Sequence, residues 1–325
     1  MKYNLLGSTG VKVSELCFGT MTFGGDANEE ESGRMYRACR EAGINFFDCA
    51  NVCNGGTSEE ILGRLMADER DNLVITSKCT QPAGSDVNNG GSNRRHIVSS
   101  VEASLKRLNT DRIDVFFMHQ FDNNLPIEEI LRGLENVVQS GKVLYVGASN
   151  YAAWQITKAL GISERRGWAR FDVLQPMYSL VKRQAETEIL PMAQSENVGV
   201  ISYSPVGGGA LSGKYAPGVR PNEGRIVAND MYAKRYSAEG TFEAAVAFTE
   251  FAKKMDVHPV SLAVAWVGGH PSITSPIIGA RNAEQLKTSL ESVNIDMTPE
   301  LRAEISALST APPPANDRFE EQVSL

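Results

Sequence analysis

The sequence has no CxxC pair, no grouping of cysteine with histidine, and no apolar run approaching about 18 residues. Its five cysteines, Cys17, Cys39, Cys49, Cys53 and Cys79, are an odd number in a chain too long to need covalent staples. That usage fits a reducing, cytoplasmic setting. The four histidines (His96, His119, His258, His270) show no ligand spacing, so no metal site is expected. Without a long apolar run no membrane helix is expected. The start, MKYNLLGSTGVKVSEL, also lacks the apolar core and small-residue cleavage site of an export signal. An excess of basic charge is missing too. With 32 Lys and Arg against 39 Asp and Glu, the net charge of −7 argues against nucleic acid or an acidic membrane as a partner. No G-x-G-x-x-G follows an early strand, which excludes a Rossmann-type dinucleotide site.

What is present is an alternation. Glu15–Gly19, Asn45–Asp48, Leu73–Lys78, Ile113–His119, Val143–Ser149, Phe171–Gln175, Val198–Ser204 and Ser275–Gly279 are short apolar runs. Continuous runs of this length mark strands buried on both faces, as in a parallel sheet. Between them, Glu29–Ala42, Ser58–Met66, Arg94–Leu108, Ile127–Ser140, Tyr151–Leu160, Arg183–Glu196 and Thr241–Met255 carry apolar residues at helical spacing. Gly43 and Gly141 stand where helices should stop. Eight such units with right-handed crossovers predict an α/β fold, a (β/α)8 TIM barrel. The first residues, around Gly7 and Gly10, read as an N-terminal β-hairpin plugging the bottom, and extra helices are expected at the C-terminal end. The barrel is expected over residues 1–312 as one domain, with 313–325 a tail that leaves it. Gln81–Asn93 and Tyr215–Ser237 read as long loops walling an active site.

In such barrels the chemistry sits at the C-terminal strand ends. Here those ends carry Asp48, Lys78, His119, Ser149, Asn150, Gln175 and Ser204. Each has an ordinary alternative: the aspartate as a helix cap, the lysine as a surface group, the histidine as a structural one. Three ionisable groups on consecutive strand ends favour a site over that coincidence.

The segments FFDCANVCNGGTSEEILG, VITSK, DVFFMH, GASN, QPMYSL and YSPVGGGALSGKY are similar to the aldo-keto reductase family, in its bacterial and potassium-channel-β-subunit-like branch. The resemblance runs from Leu6 to about Leu308. It implies NADP(H)-dependent interconversion of a small-molecule carbonyl and its alcohol by hydride transfer. It implies that Asp48 and Lys78 form a buried ion pair and that His119 orients the substrate. By the same resemblance Ser149, Asn150 and Gln175 hold the nicotinamide carboxamide and Tyr203 stacks on its ring. Ser204, Pro205, Val206, Gly207, Leu211, Ser212 and Lys214 wrap the pyrophosphate. Gly279, Arg281, Gln285 and Ser289 hold the adenosine end, and Gly19, Thr20 and Met21 line the first strand's edge of the cofactor. Ser289 stands where many members carry Asn.

Two of these assignments have independent physical support. Gly207–Gly209 lets backbone amides approach phosphate oxygens closely. Arg281 can fork onto a 2′-phosphate, which favours NADP(H) with NAD(H) as the alternative; the ordinary reading, a surface arginine, carries less weight. The family includes monomers, dimers and rings, and no heptad pattern selects an oligomer.

Cys53 stands where the resemblance implies the proton-donating tyrosine. A thiol ordinarily titrates near ~8.5 against ~10 for a phenol, and a neighbouring ammonium lowers it further. The expectation is therefore a largely ionised Cys53 that cannot donate a proton. Three readings follow. Carbonyl reduction persists with His119, Lys78 or a water as the acid. Alternatively Cys53 is a working group in a divergent reaction such as an epimerisation or elimination. Or the site binds nucleotide and turns over poorly. The pocket is expected to be walled by Met21–Phe23, Val52–Asn54, Gln81, Phe121 and the Tyr215–Ser237 loop. The polar groups Asn51, Asn54, Gln120 and Asp122 tilt the expected substrate towards a sugar-like carbonyl, unless they merely cap turns.

Overall fold

The computed structural model describes residues 1–215 and 224–316. In chain order the elements are β1 (Tyr3–Leu5), β2 (Lys12–Ser14), β3 (Cys17–Gly19), α1 (Glu29–Glu41), β4 (Phe46–Asp48), α2 (Thr57–Leu65), β5 (Val74–Cys79) and α3 (Arg94–Leu108). Then come β6 (Ile113–Met118), α4 (Ile127–Gln139), β7 (Val143–Ser149), α5 (Ala153–Arg166), β8 (Phe171–Gln175), α6 (Ile189–Ser195) and β9 (Gly199–Ser202). The last are α7 (Arg225–Ala228), α8 (Asp230–Arg235), α9 (Thr241–Lys254), α10 (Pro259–Gly268), β10 (Ser275–Ile278), α11 (Ala283–Leu290) and α12 (Pro299–Ser306). Strands β3 to β10 pair in parallel with their chain neighbours, and β10 closes onto β3 through Ile277↔Cys17 and Ile278↔Phe18. The expected TIM barrel is what the chain forms.

Alternation along each strand divides the core in two. Cys17, Phe46, Val74, Val115, Phe117, Val173, Ile201 and Ile277 point inwards as one cluster. Their chain neighbours Phe18, Phe47, Ile75, Phe116, Leu174, Val200 and Ile278 point outwards and pack beneath the helices. The β1–β2 hairpin contributes Leu6 and Val13 to the inner cluster, so it closes the bottom of the barrel as expected. With the bottom plugged and the interior filled by side chains, the barrel itself opens at the opposite rim.

Several elements differ from their sequence reading. The helix expected over Arg183–Glu196 is a 3-10 turn at Gln184–Glu186 followed by α6, whose first turn holds Pro191. Arg183 and Glu186 pair with each other, and Arg183 Nη1 donates to the carbonyl oxygen of Ser306 at 3.0 Å. This ties the loop after β8 to α12. Helix α5 runs past Leu160 to Arg166. Helix α10 was not anticipated because it is apolar on every side and its residues from Ser261 to Val267 are all buried, which erases the amphipathic period. Part of the expected Tyr215–Ser237 loop is helical, as α7 and α8, with Asn229 capping the second; residues 216–223 lie outside the described residues. The tail is tied down at its start, where Thr187 Oγ1 donates to the Pro313 carbonyl at 3.2 Å. The rest of it, residues 317–325, is likewise outside the described residues.

Inside the barrel, Phe117 on β6 stands opposite Gly147 on β7. A Cβ at Gly147 would lie 2.4 Å from the Phe117 ring and 2.7 Å from the Val173 carbonyl oxygen. Gly147→Ala is therefore expected to lower the unfolding free energy by about 1–3 kcal/mol in urea melts. An unchanged midpoint would show that the ring is not confined there.

Candidate active site

The rim residues converge on Asp48. Its Oδ1 accepts from Lys78 Nζ at 2.6 Å, Thr76 Oγ1 at 2.6 Å and Gln175 Nε2 at 2.8 Å. The pairing β4–β5 sets Asp48 beside Thr76 in register, and Lys78 reaches it from two residues further along the same strand. The side chains of Lys78 and Asp48 are 4% and 12% exposed, so the pair is shut away from most of the water. Lys78 Nζ also donates to the Cys49 carbonyl oxygen at 2.6 Å and stands over the Phe117 ring.

A second chain of contacts runs along the ends of β7, β8 and β9. Ser149 Oγ donates to the Gln175 carbonyl at 2.9 Å, and Asn150 Nδ2 donates to Ser149 Oγ at 3.0 Å and to the His119 carbonyl at 2.9 Å. Tyr203 OH donates to Asn150 Oδ1 at 2.7 Å. Gln175 donates one of its two amide hydrogens to Asp48, and its Oε1 receives only a 3.5 Å contact from Ser149 Oγ. That oxygen is suited to accept an amide N–H, the chemistry a carboxamide would require.

Burial governs the two remaining groups. It pushes the His119 imidazole down to about 4, the Lys78 ammonium adding to the shift and outweighing Asp48, so His119 is neutral at pH 7. Among the described residues its Nδ1 is buried without a partner, as is Asn51 Oδ1. Burial also pushes the Cys53 thiol up to about 11. The pull of Lys78 is too small to reverse this, and Asp48 and Glu59 add to it. The ionised Cys53 expected from proximity to a lysine is therefore corrected to a protonated thiol.

Beyond Tyr203, Gly207, Gly208 and Gly209 all have positive φ (60, 64 and 101°). A Cβ at Gly208 would meet the Tyr236 ring at 2.6 Å, so the close approach of α8 requires glycine there. Arg225 and Arg235 lie over the Tyr232 ring at 5.3 and 5.0 Å, beside this turn. Neither arginine was singled out by the sequence; their only signal is position in a segment read as loop. Ser204 continues the turn with a φ of 60°. Val206 packs on the core, Ser212 Oγ donates to the Gly209 carbonyl, and Lys214 is exposed. Leu211, Thr20 and Ser289 are buried; Thr20 Oγ1 is occupied by Ser58 and the Asp48 carbonyl. Met21, in contrast, is 49% exposed. At the end of β10, Gly279 lies close to Gly19, Gln285 Oε1 accepts from the Arg281 amide at 3.2 Å, and the Arg281 side chain faces Asp26 at 3.3 Å.

The aldo/keto reductase family profile matches residues 15–310. The chain belongs to the aldo/keto reductase family. It is 37% identical over 316 residues, 93% of this chain and 94% of the other, to the "Uncharacterized oxidoreductase YrpG" of Bacillus subtilis (strain 168). It is 33% identical over 328 residues, 98% of this chain and 100% of the other, to the "Probable voltage-gated potassium channel subunit beta" of Oryza sativa subsp. japonica. It is 33% identical over 326 residues, 92% of this chain and 94% of the other, to the "Versiconal hemiacetal acetate reductase" of Aspergillus parasiticus. Membership in the family supports oxidoreduction of small-molecule carbonyl compounds. Among the described residues, no helix is long and apolar enough to cross a membrane and no group of three His, Cys, Asp or Glu is placed to hold a metal ion.

The expected pocket wall is partly redrawn within this family frame. Phe23 is fully buried against Phe18 and belongs to the core. Asn54 Nδ2 is spent on the Met21 and Phe23 carbonyls, and Asp122 accepts from the Ser92 and Asn124 amides, so both shape turns. Phe121 instead meets Tyr151 edge-on at 5.1 Å and Trp154 at 6.2 Å, and Trp154 is 62% exposed. A cavity of about 430 Å3 lies behind α7 and α8, lined by Tyr215, Ile226, Ala233, Phe242 and Glu243 among others, and by none of the strand-end residues.

Below a pKa near 11, the ionised fraction of the thiol rises about tenfold with each unit increase in pH. The rate at which iodoacetamide labels Cys53, read by peptide mass mapping, should therefore climb steadily from pH 8 to pH 10. A plateau below pH 9 would mean that Lys78 wins over burial after all.

Proposed function

We propose that the chain uses NADP(H), or NAD(H) as the alternative, to interconvert a small carbonyl compound and its alcohol, with Lys78 as the proton source. The observation that carries this is the bonding of the ammonium. Of its three N–H groups, one goes to Asp48 and one to the Cys49 carbonyl, which leaves the third for a substrate oxygen. The bound nicotinamide supplies or accepts the hydride. Asp48 keeps Lys78 in place and balances its charge. His119, neutral at pH 7, polarises the carbonyl by a hydrogen bond but has no excess proton to give. Cys53, standing where the resemblance puts a tyrosine, stays protonated and is several atoms too short to take over the phenol's position.

The cofactor fits this rim on three counts. The Gln175 Oε1 acceptor, with Ser149 and Asn150 beside it, suits the carboxamide, and Tyr203 suits the ring. The positive-φ turn at Gly207–Gly209, with Ser204, Pro205, Val206, Leu211, Ser212, Lys214, Arg225 and Arg235 around it, suits a diphosphate. Gly279, Arg281, Gln285 and Ser289 suit the adenosine end, with Gly19, Thr20 and Met21 along the first strand. Residues 1–312 act as one unit in this reading. Four fully buried free cysteines suit a reducing, cytoplasmic compartment.

For the substrate, the loss of Asn54 and Asp122 to turns removes half of the polar groups that favoured a sugar. The Phe121–Tyr151–Trp154 group at the ends of β6 and β7, with exposed Met21, favours a flat, aromatic carbonyl. The test is cofactor oxidation measured with panels of aryl aldehydes and aldoses. Aryl aldehydes should be preferred, Lys78→Met should lower kcat/KM by about 10²-fold or more, and Cys53→Ala should stay within about threefold of the parent. A comparable loss in Cys53→Ala, with Lys78→Met little changed, would make the thiol the acid. Nucleotide binding without turnover on either panel would support a binding role instead.

A further inference from the structure

The groups at the expected adenosine end are already opposed by carboxylates from the first β/α unit. Asp26 Oδ2 lies 3.3 Å from Arg281 Nε, with both side chains about half exposed. Glu31 Oε1 accepts from the Ala283 amide at 2.6 Å, at the first residue of α11, where the helix presents its positive end. The loop that carries Asp26 is fixed from several sides. Thr22 Oγ1 donates to the Ala280 carbonyl at 2.8 Å, the Gly24 amide to the Ala27 carbonyl at 2.8 Å, and Asn54 Nδ2 to the Phe23 carbonyl at 2.8 Å. These anchors fix the backbone on either side of Asp26, which keeps its carboxylate within reach of Arg281. Arg281 is accordingly not the unopposed fork that the sequence suggests.

We propose that Asp26 is a cofactor-specificity residue: by holding Arg281 and facing its guanidinium, it opposes a 2′-phosphate and lets NADH bind nearly as well as NADPH. This rests on the nucleotide site of the proposed function. The two cofactors differ in charge at this position. A 2′-phosphate carries close to two negative charges at neutral pH, and beside Arg281 it either displaces Asp26 or sits next to it. A ribose 2′-hydroxyl is neutral and can donate a hydrogen bond to a carboxylate, so Asp26 opposes one cofactor and accommodates the other.

Binding is read by quenching of the protein's own fluorescence in titrations of NADPH and NADH, without any substrate. Asp26→Asn should tighten NADPH about three- to tenfold and leave NADH within about twofold. The gain should disappear in the double variant Asp26→Asn with Arg281→Gln, and should shrink at high salt. An unchanged NADPH affinity, or an equal gain for both nucleotides, overturns the assignment. Should the parent protein bind neither nucleotide, the underlying site fails first and takes this inference with it.

Discussion

An ammonium group as thoroughly removed from water as that of Lys78 stays in place only if its charge is answered at close range. Asp48 gives that answer, and most of the rim is arranged around it. The same carboxylate oxygen receives Thr76 and Gln175, so three strands, β4, β5 and β8, are tied to one atom. Gln175 in turn is linked to Ser149, and through Asn150 to Tyr203 and the His119 carbonyl. Loss of either partner of the ion pair would leave the other buried and unanswered, and would release Gln175 from the position in which its free oxygen is useful.

The barrel makes this arrangement cheap to hold. Parallel strands in register deliver side chains to one rim without long loops, and the hairpin plug together with Phe46, Phe117 and their neighbours fills the space below. Low exposure then has two consequences at the same rim. It keeps His119 neutral and Cys53 protonated, and it strengthens the attraction between Lys78 and Asp48. A charged lysine beside a neutral imidazole and a neutral thiol is a narrow set of options for proton transfer, which is why Lys78 is the candidate acid.

Much of this was legible in the sequence, for reasons that can be stated. Strands buried on both faces leave continuous apolar runs, and their polar final residues Asp48, Lys78, His119 and Gln175 stand out against them. Helix α10 was hidden for the opposite reason: a helix buried all round has no polar face to give it a period, and only Pro259 and the cap at His258 mark its start. The ionisation of Cys53 was misread because sequence shows its neighbours and not its burial. Asp26 and Arg281 come from opposite ends of the chain and meet only because β3 pairs with β10. Asn54 and Asp122 look like pocket groups until their hydrogen bonds are traced into turns.

A crystal structure of the protein with the oxidised dinucleotide bound would show whether the Asp48–Lys78 pair stands ready beside a nicotinamide. The carboxamide nitrogen should lie within hydrogen-bonding distance of Gln175 Oε1, the ring against Tyr203, and Lys78 Nζ still hydrogen-bonded to Asp48 Oδ1. A nicotinamide seated elsewhere, or a Lys78 drawn away from Asp48, would contradict it.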